Sequence, residues 1–299
     1  MDDSIDDASI GRAAPIGRAA EPASSPRKEF RISMRPRPKP ARFQSLGVAL
    51  VVGWVCASLV RAEERQEIPP SFWDSVFWTY TAGFDFSRGD YGLARNSTLF
   101  YMPLGVIADY DRFRVQAVVP FIVSDGPTSV LLDMAPMPLE SETNSGVGEM
   151  LVSASYVLDP FASGLPLVEL GVQLTVPTRS KNELGTGGWG FATRIDCFRE
   201  WGPVTPFTSF GRKFYTSDSL DDRFFASVGA SVELTDLVAA GVSYDWLEET
   251  SGATPDAHEI VPFLVLAGSK RWSFGPYGVI GLSDASPDYG VGLSVSFAP

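Results

Sequence analysis

The chain has 299 residues, 44% of them hydrophobic and 20% charged, with a formal net charge of −12. That apolar content is too high for wholesale disorder, and the acidic balance excludes a nucleic-acid surface, which needs clustered Lys and Arg. With only two Cys and one His, neither a disulfide framework nor a Cys/His zinc site can be assembled, so no metal and no other cofactor is expected.

Residues 1–33 are rich in Asp, Ala, Ser and Pro without an apolar period. They read as a disordered extension, or as an over-extended start ahead of Met34. From Met34 a basic stretch with Arg35, Arg37, Lys39 and Arg42 leads into the apolar run 46–60, followed by Arg61, Ala62 and Glu63. A basic region, an apolar run and a small residue in that order form a secretory signal. Residues 34–62 are therefore expected to be removed by cleavage between Ala62 and Glu63. The run is shorter than the roughly 20 residues a membrane-crossing helix needs, which disfavours a permanent anchor. Val55 ahead of Cys56 is too bulky for a lipoprotein signal. Residues 63–76 are expected to be a periplasmic lead-in, and 77–299 a single domain.

Within that domain, segments of roughly ten residues alternate apolar and polar, separated by Gly, Asp, Pro and Ser, as membrane-barrel strands do. Strands are expected at 77–86, 95–106, 112–123, 147–158, 166–176 and 189–199, then at 203–214, 223–234, 237–247, 258–267, 271–280 and 289–297. In 223–234, Phe224, Ala226, Val228, Ala230, Val232 and Leu234 share one face, while Arg223, Ser227, Ser231 and Glu233 share the other. The side-chain period of a strand is two, so one face can meet lipid and the other water. Segments 203–214, 258–267 and 271–280 alternate poorly. The fold expected is an all-β, transmembrane, antiparallel up-and-down barrel of about twelve strands, an even number as in bacterial single-chain barrels.

The connections support this. Those after odd-numbered strands (87–94, 124–146, 177–188, 215–222, 248–257 and 281–288) are each longer than those after even-numbered ones (107–111, 159–165, 200–202, 235–236 and 268–270). Outer-membrane barrels pair long external loops with short periplasmic turns, whereas a soluble sandwich has no reason to do so. Trp78, Tyr80, Tyr101, Tyr110, Phe161, Trp189, Trp201, Trp246, Trp272 and Tyr289 mostly fall near strand ends, where amphipathic rings suit the headgroup level.

The stretch FSRGDYGLARNSTLFYMPLGVIADYDRFRVQAVVPFIVSDG (86–126), with GVGEMLVSASYVL (146–158), PLVELGVQLTVPT (166–178) and GVGLSVSF (290–297), resembles the phenol-degradation MetA-pathway outer-membrane protein family. The resemblance implies an outer-membrane channel or transporter, in some members linked to uptake of aromatic compounds. It carries no catalytic or binding residues. The ending Phe297-Ala298-Pro299 departs from the terminal aromatic on which such barrels commonly close.

Little in the chain points to catalysis. His258 is the sole histidine, and no local motif pairs it with Ser294 or Ser296, although a Ser/His nucleophile needs a base in reach and a third orienting group. Arg88-Gly89-Asp90 reads as turn chemistry. Gly185-Thr186-Gly187-Gly188 lacks the Lys-Ser/Thr of a phosphate loop. Cys197 is expected on the apolar face. The residues expected to line the lumen are Asp85, Arg114, Gln116, Glu149, Glu169, Gln173, Arg194, Asp196, Arg223, Glu233, Asp245 and Glu259, each alternating with apolar neighbours. Charge is tolerated there and tunes selectivity. The expected function is passive passage of small solutes, hydrophobic or aromatic ones included, without enzymatic activity. A plugged structural or adhesive barrel and a barrel-embedded lipase are the alternatives. The expected partners are outer-membrane lipid and a small solute.

Overall fold

The computed structural model describes residues 75–91, 95–126, 128–129, 137–138, 143–158, 160, 164–177, 184, 188–216, 221–249 and 255–299. The extension 1–33, the signal 34–62 with its Ala62–Glu63 junction, nearly all of 63–76 and Phe161 lie outside the described residues.

The first three strands are β1 (Phe77–Gly89), β2 (Ser97–Tyr110) and β3 (Phe113–Asp125). Two short pieces, β4 (Thr128–Ser129) and β5 (Met137–Pro138), pair only with each other. Then come β6 (Thr143–Val147), β7 (Met150–Leu158), β8 (Leu167–Val176), β9 (Gly190–Phe198) and β10 (Val204–Tyr215). The chain finishes with β11 (Arg223–Thr235), β12 (Val238–Leu247), β13 (Ala257–Ala267), β14 (Trp272–Gly281) and β15 (Tyr289–Phe297).

The barrel strands pair antiparallel in chain order, with β3 meeting both β6 and β7, and β1 pairs with β15 as well as with β2. The sheet therefore closes on itself, and among the described residues β6, paired only with β3, is the one barrel segment without a second partner strand. β3 pairs with β7 over Phe113–Val118 and with β6 over Phe121–Asp125. β6 and β7 are thus two segments of one stave, interrupted at Gly148 and Glu149, where the Gly148 amide donates to the Pro120 carbonyl at 2.9 Å. Counted this way, the barrel has 12 staves. Among the described residues no helix is long and apolar enough to cross a membrane; strands are the crossing elements in a barrel.

The period of two separates the faces. On β8, Glu169, Gly171 and Gln173 are buried and face inward, while Leu170, Val172 and Leu174 are exposed and face outward. The same outer surface carries Leu104, Val119, Ile195, Phe210, Val228, Val242, Leu264 and Leu293, all exposed. An apolar surface of this extent marks a membrane or protein contact rather than water. Cys197 is unpaired and lies on this outward face, between inward Asp196 and Phe198.

Exposed rings gather at both rims. Trp78, Tyr80, Tyr110, Trp201 and Trp272 lie at the end bearing the short connections, and Trp189 and Tyr289 at the other. Tyr101 does not belong to a girdle: it is 6% exposed and points inward, because 101 shares its parity with buried Leu99 and Pro103.

Two connection readings need correction. The short-side connection 159–166 is longer than 90–96, 216–222 and 282–288. Backbone pairing runs on past the point where side-chain polarity changes, as at Gly89↔Ser97 and Tyr215↔Gly190, and shortens those loops. The longest three connections, 126–142, 177–189 and 248–256, still share one rim. For the same reason Arg88 and Gly89 belong to β1 rather than to a turn.

A closed barrel of this kind is expected to resist detergent, so refolded protein should migrate faster on a denaturing gel unboiled than boiled; equal migration would contradict closure. Val228 sits near the middle of β11 and is 56% exposed on the outer face. Val228→Arg should destabilise the barrel in lipid bilayers by about 2–4 kcal/mol, read from urea unfolding of refolded protein in vesicles.

Candidate functional site: the inner wall

The inward face is where charge, hydroxyl groups and packed rings converge. Asp85, Gln116, Glu169, Gln173, Arg194, Asp196 and Arg223 are buried on it. Arg114, Asp245 and Glu259 share its parity and are partly buried. Glu149 is buried at the interruption between β6 and β7. Glu233 has the same parity but is exposed, at the rim beside the register irregularity that ends β11.

Four of these carboxylates lie in one cross-strand row. Glu169 is registered against Asp196, Asp196 against Ser209, Ser209 against Ser227, Ser227 against Asp245, and Asp245 against Glu259. Arg194 closes an ion pair with Asp196, Nε to Oδ2, at 2.7 Å. Its guanidinium lies over Gly171, where an added methyl would come within 3.2 Å of it. Asp245 accepts hydrogen bonds from the hydroxyls of Ser227 and of Ser243. Near the opposite rim, Arg114 grips Asp109 through Nε at 2.5 Å and Nη2 at 3.3 Å across the tight β2–β3 turn.

A second row, Phe263–Tyr277–Gly292–Asp85–Tyr101–Ile122, runs around the wall. The Tyr277 hydroxyl donates to Asp85 Oδ2 at 2.8 Å, passing over the intervening Gly292. A methyl group at Gly292 would overlap the Tyr277 ring. The same device recurs: Phe207 lies over Gly229, Phe263 over Gly241 and Phe225 over Gly211, each ring directly opposite its glycine on the next strand. Rings reaching over glycines give the wall an apolar lining where the glycines leave room for them. Leu99, Tyr101, Ile122, Phe207, Phe263, Tyr277 and Val279 belong to one buried cluster that also takes in Leu184, from the β8–β9 connection.

Lys213, buried on β10 and registered against Arg223, and Asp109 are luminal charges that sequence reasoning missed, as it missed the inward rings of Tyr101 and Tyr277. β10, β13 and β14 alternate poorly because their inward positions carry Phe207, Phe263, Val265 and Tyr277. Where both faces are apolar, the period carries no contrast. The parity of Ser209 would have found Lys213.

His258 faces outward, where the Tyr244 hydroxyl lies 2.7 Å from its Nδ1. Ser294 and Ser296 are buried on the inward face of β15. The wall therefore separates His258 from both serines, and that nucleophile–base pairing is not assembled. Among the described residues no group of three or more His, Cys, Asp or Glu could hold a metal ion.

No protein-family model matches the chain, and no curated protein matches it, so the likeness to the MetA-pathway family finds no support there. Among solved structures the chain is similar to the KdgM porin, with a TM-score of 0.47 and 10% identity over 73% of this chain and 98% of that one. It is also similar to the β domain of the Bordetella autotransporter BrkA, at 0.46 and 10% over 76% and 100%. The outer membrane channel DcaP of Acinetobacter baumannii gives 0.36 and 12% over 75% and 96%. The fold assignment rests on the closed strand pairing itself.

Tyr277→Phe should cost about 1–3 kcal/mol by leaving the buried Asp85 carboxylate short of its donor. Gly292→Val should cost a similar 1–3 kcal/mol through overpacking against the ring. The two should not add, because both break the same Tyr277–Asp85 contact. Urea midpoints of the two single variants and the double variant check this; full additivity would refute the coupling.

Proposed function

We propose that this barrel sits in an outer membrane and lets small solutes, hydrophobic and aromatic ones among them, pass by diffusion through a narrow lumen. The observation that carries this reading is the pairing of an apolar outer surface with an inner wall of aromatic rings and confined charges. The outside suits hydrocarbon. Inside, Phe207 and Phe263, with ring centroids 6.4 Å apart, offer an apolar surface to a solute while the carboxylate row offers polar contacts. Twelve strands enclose a narrower space than the sixteen or so of general porins, which favours small solutes over large hydrated ones. No cofactor and no energy coupling enter this reading.

A non-conducting scaffold is the second reading, and one observation favours it: Leu184 from a rim connection is only 2% exposed and packs into the luminal cluster.

Planar-bilayer recording of the refolded mature chain separates the two. The channel reading expects small discrete conductance steps in KCl that grow in Phe207→Ala and Phe263→Ala, because each removes a ring from the constricted wall. Absence of steps in the parent and in both variants would replace the channel with the scaffold.

A further inference from the structure

One sector of the inner wall is basic, and Arg223 within it has unmet hydrogen-bond donors. Arg194, Lys213 and Arg223 stand on the adjacent strands β9, β10 and β11, all buried and inward. Lys213 and Arg223 are direct cross-strand partners, which concentrates positive charge at this point of the wall. Their row continues through Ala192 to Gln173, so a small side chain separates the Gln173 amide from the two cations. Arg223 is 2% exposed, yet its Nε and Nη2 have no hydrogen-bond partner, and the Tyr215 hydroxyl lies beside its guanidinium. Phe225 forms an apolar shelf beside them, its ring centroid 5.8 Å from Lys213 Nζ. Arg194 is matched by Asp196, and Glu149 lies within electrostatic range of Tyr215. Arg223 opens β11 at the rim of the long connections, where a solute from outside arrives first.

We infer that Arg223, with Lys213 opposite and Tyr215 and Gln173 alongside, forms a luminal subsite for an oxyanion: the carboxylate or phosphate group of a solute whose apolar part rests on Phe225. A buried guanidinium with unmet donors is costly, and an oxyanion meets it with charge-assisted, bidentate geometry. The subsite gives the channel reading, on which it rests, a class of preferred solute: small anions, aromatic acids included.

Calorimetric titration of the detergent-refolded mature chain tests this with sodium benzoate, with inorganic phosphate and with benzyl alcohol as the neutral analogue. Benzoate or phosphate should bind, and Arg223→Met should weaken that binding about tenfold or more, the worth of a charge-assisted contact. Lys213→Met should weaken it as well and serves if Arg223→Met fails to fold. Benzyl alcohol binding should not respond to either change. Binding by neither anion, or anion binding unchanged in a folded variant, overturns the subsite. KCl conductance tests the channel separately. Steps without anion binding reject the subsite and keep the channel; anion binding without steps keeps the subsite and rejects the channel.

Discussion

The hydrogen-bonded seam between β1 and β15, from Tyr80↔Phe297 to Arg88↔Tyr289, is the contact on which the rest of the structure depends. A sheet of this size left open would present two long edges, each a row of unpaired backbone groups. In hydrocarbon each such group would cost several kcal/mol. Closure removes both edges at once and creates an inside, so that every strand acquires one face toward its surroundings and one toward a confined space. All the inner chemistry follows from that division.

Confinement explains the composition of the inner wall. Side chains from opposite staves compete for one narrow volume, so large residues there need small partners. Tyr277 over Gly292, Phe263 over Gly241, Phe207 over Gly229 and Phe225 over Gly211 each place a ring where the neighbouring strand has no side chain. Ser209, Ser227, Ser243, Ser294 and Ser296, all buried, fill other gaps with short hydroxyls. Such glycines therefore hold packing space, and chain freedom is not their role.

Charge on the wall is divided between sectors. Arg194, Lys213 and Arg223 occupy β9 to β11, whereas Asp245, Glu259 and Asp85 occupy β12, β13 and β1. Seryl and tyrosyl hydroxyls donate to Asp245 and Asp85, and Arg194 answers Asp196.

The class, the strand positions and the two-faced pattern were legible in the sequence because period-two alternation is local: Val168 to Val176 and Tyr289 to Phe297 report their faces without reference to any other strand. The inward placement of ten of the twelve charged and amide positions was readable in the same way, since polar residues among apolar neighbours stand out, whereas Glu233 is exposed at the rim and Glu149 lies at the β6–β7 interruption. The inward rings were not legible, because the inward positions of β10, β13 and β14 carry Phe207, Phe263 and Tyr277 and blur the contrast, and Lys213 was not, because Arg212 beside it puts charge on both faces at that point. What touches what was decided only by tertiary structure. Tyr277 and Asp85 are 192 residues apart and meet because closure and register bring β14 and β1 to either side of Gly292. Register depends on the partner strand, so alternation along one strand carries no information about it.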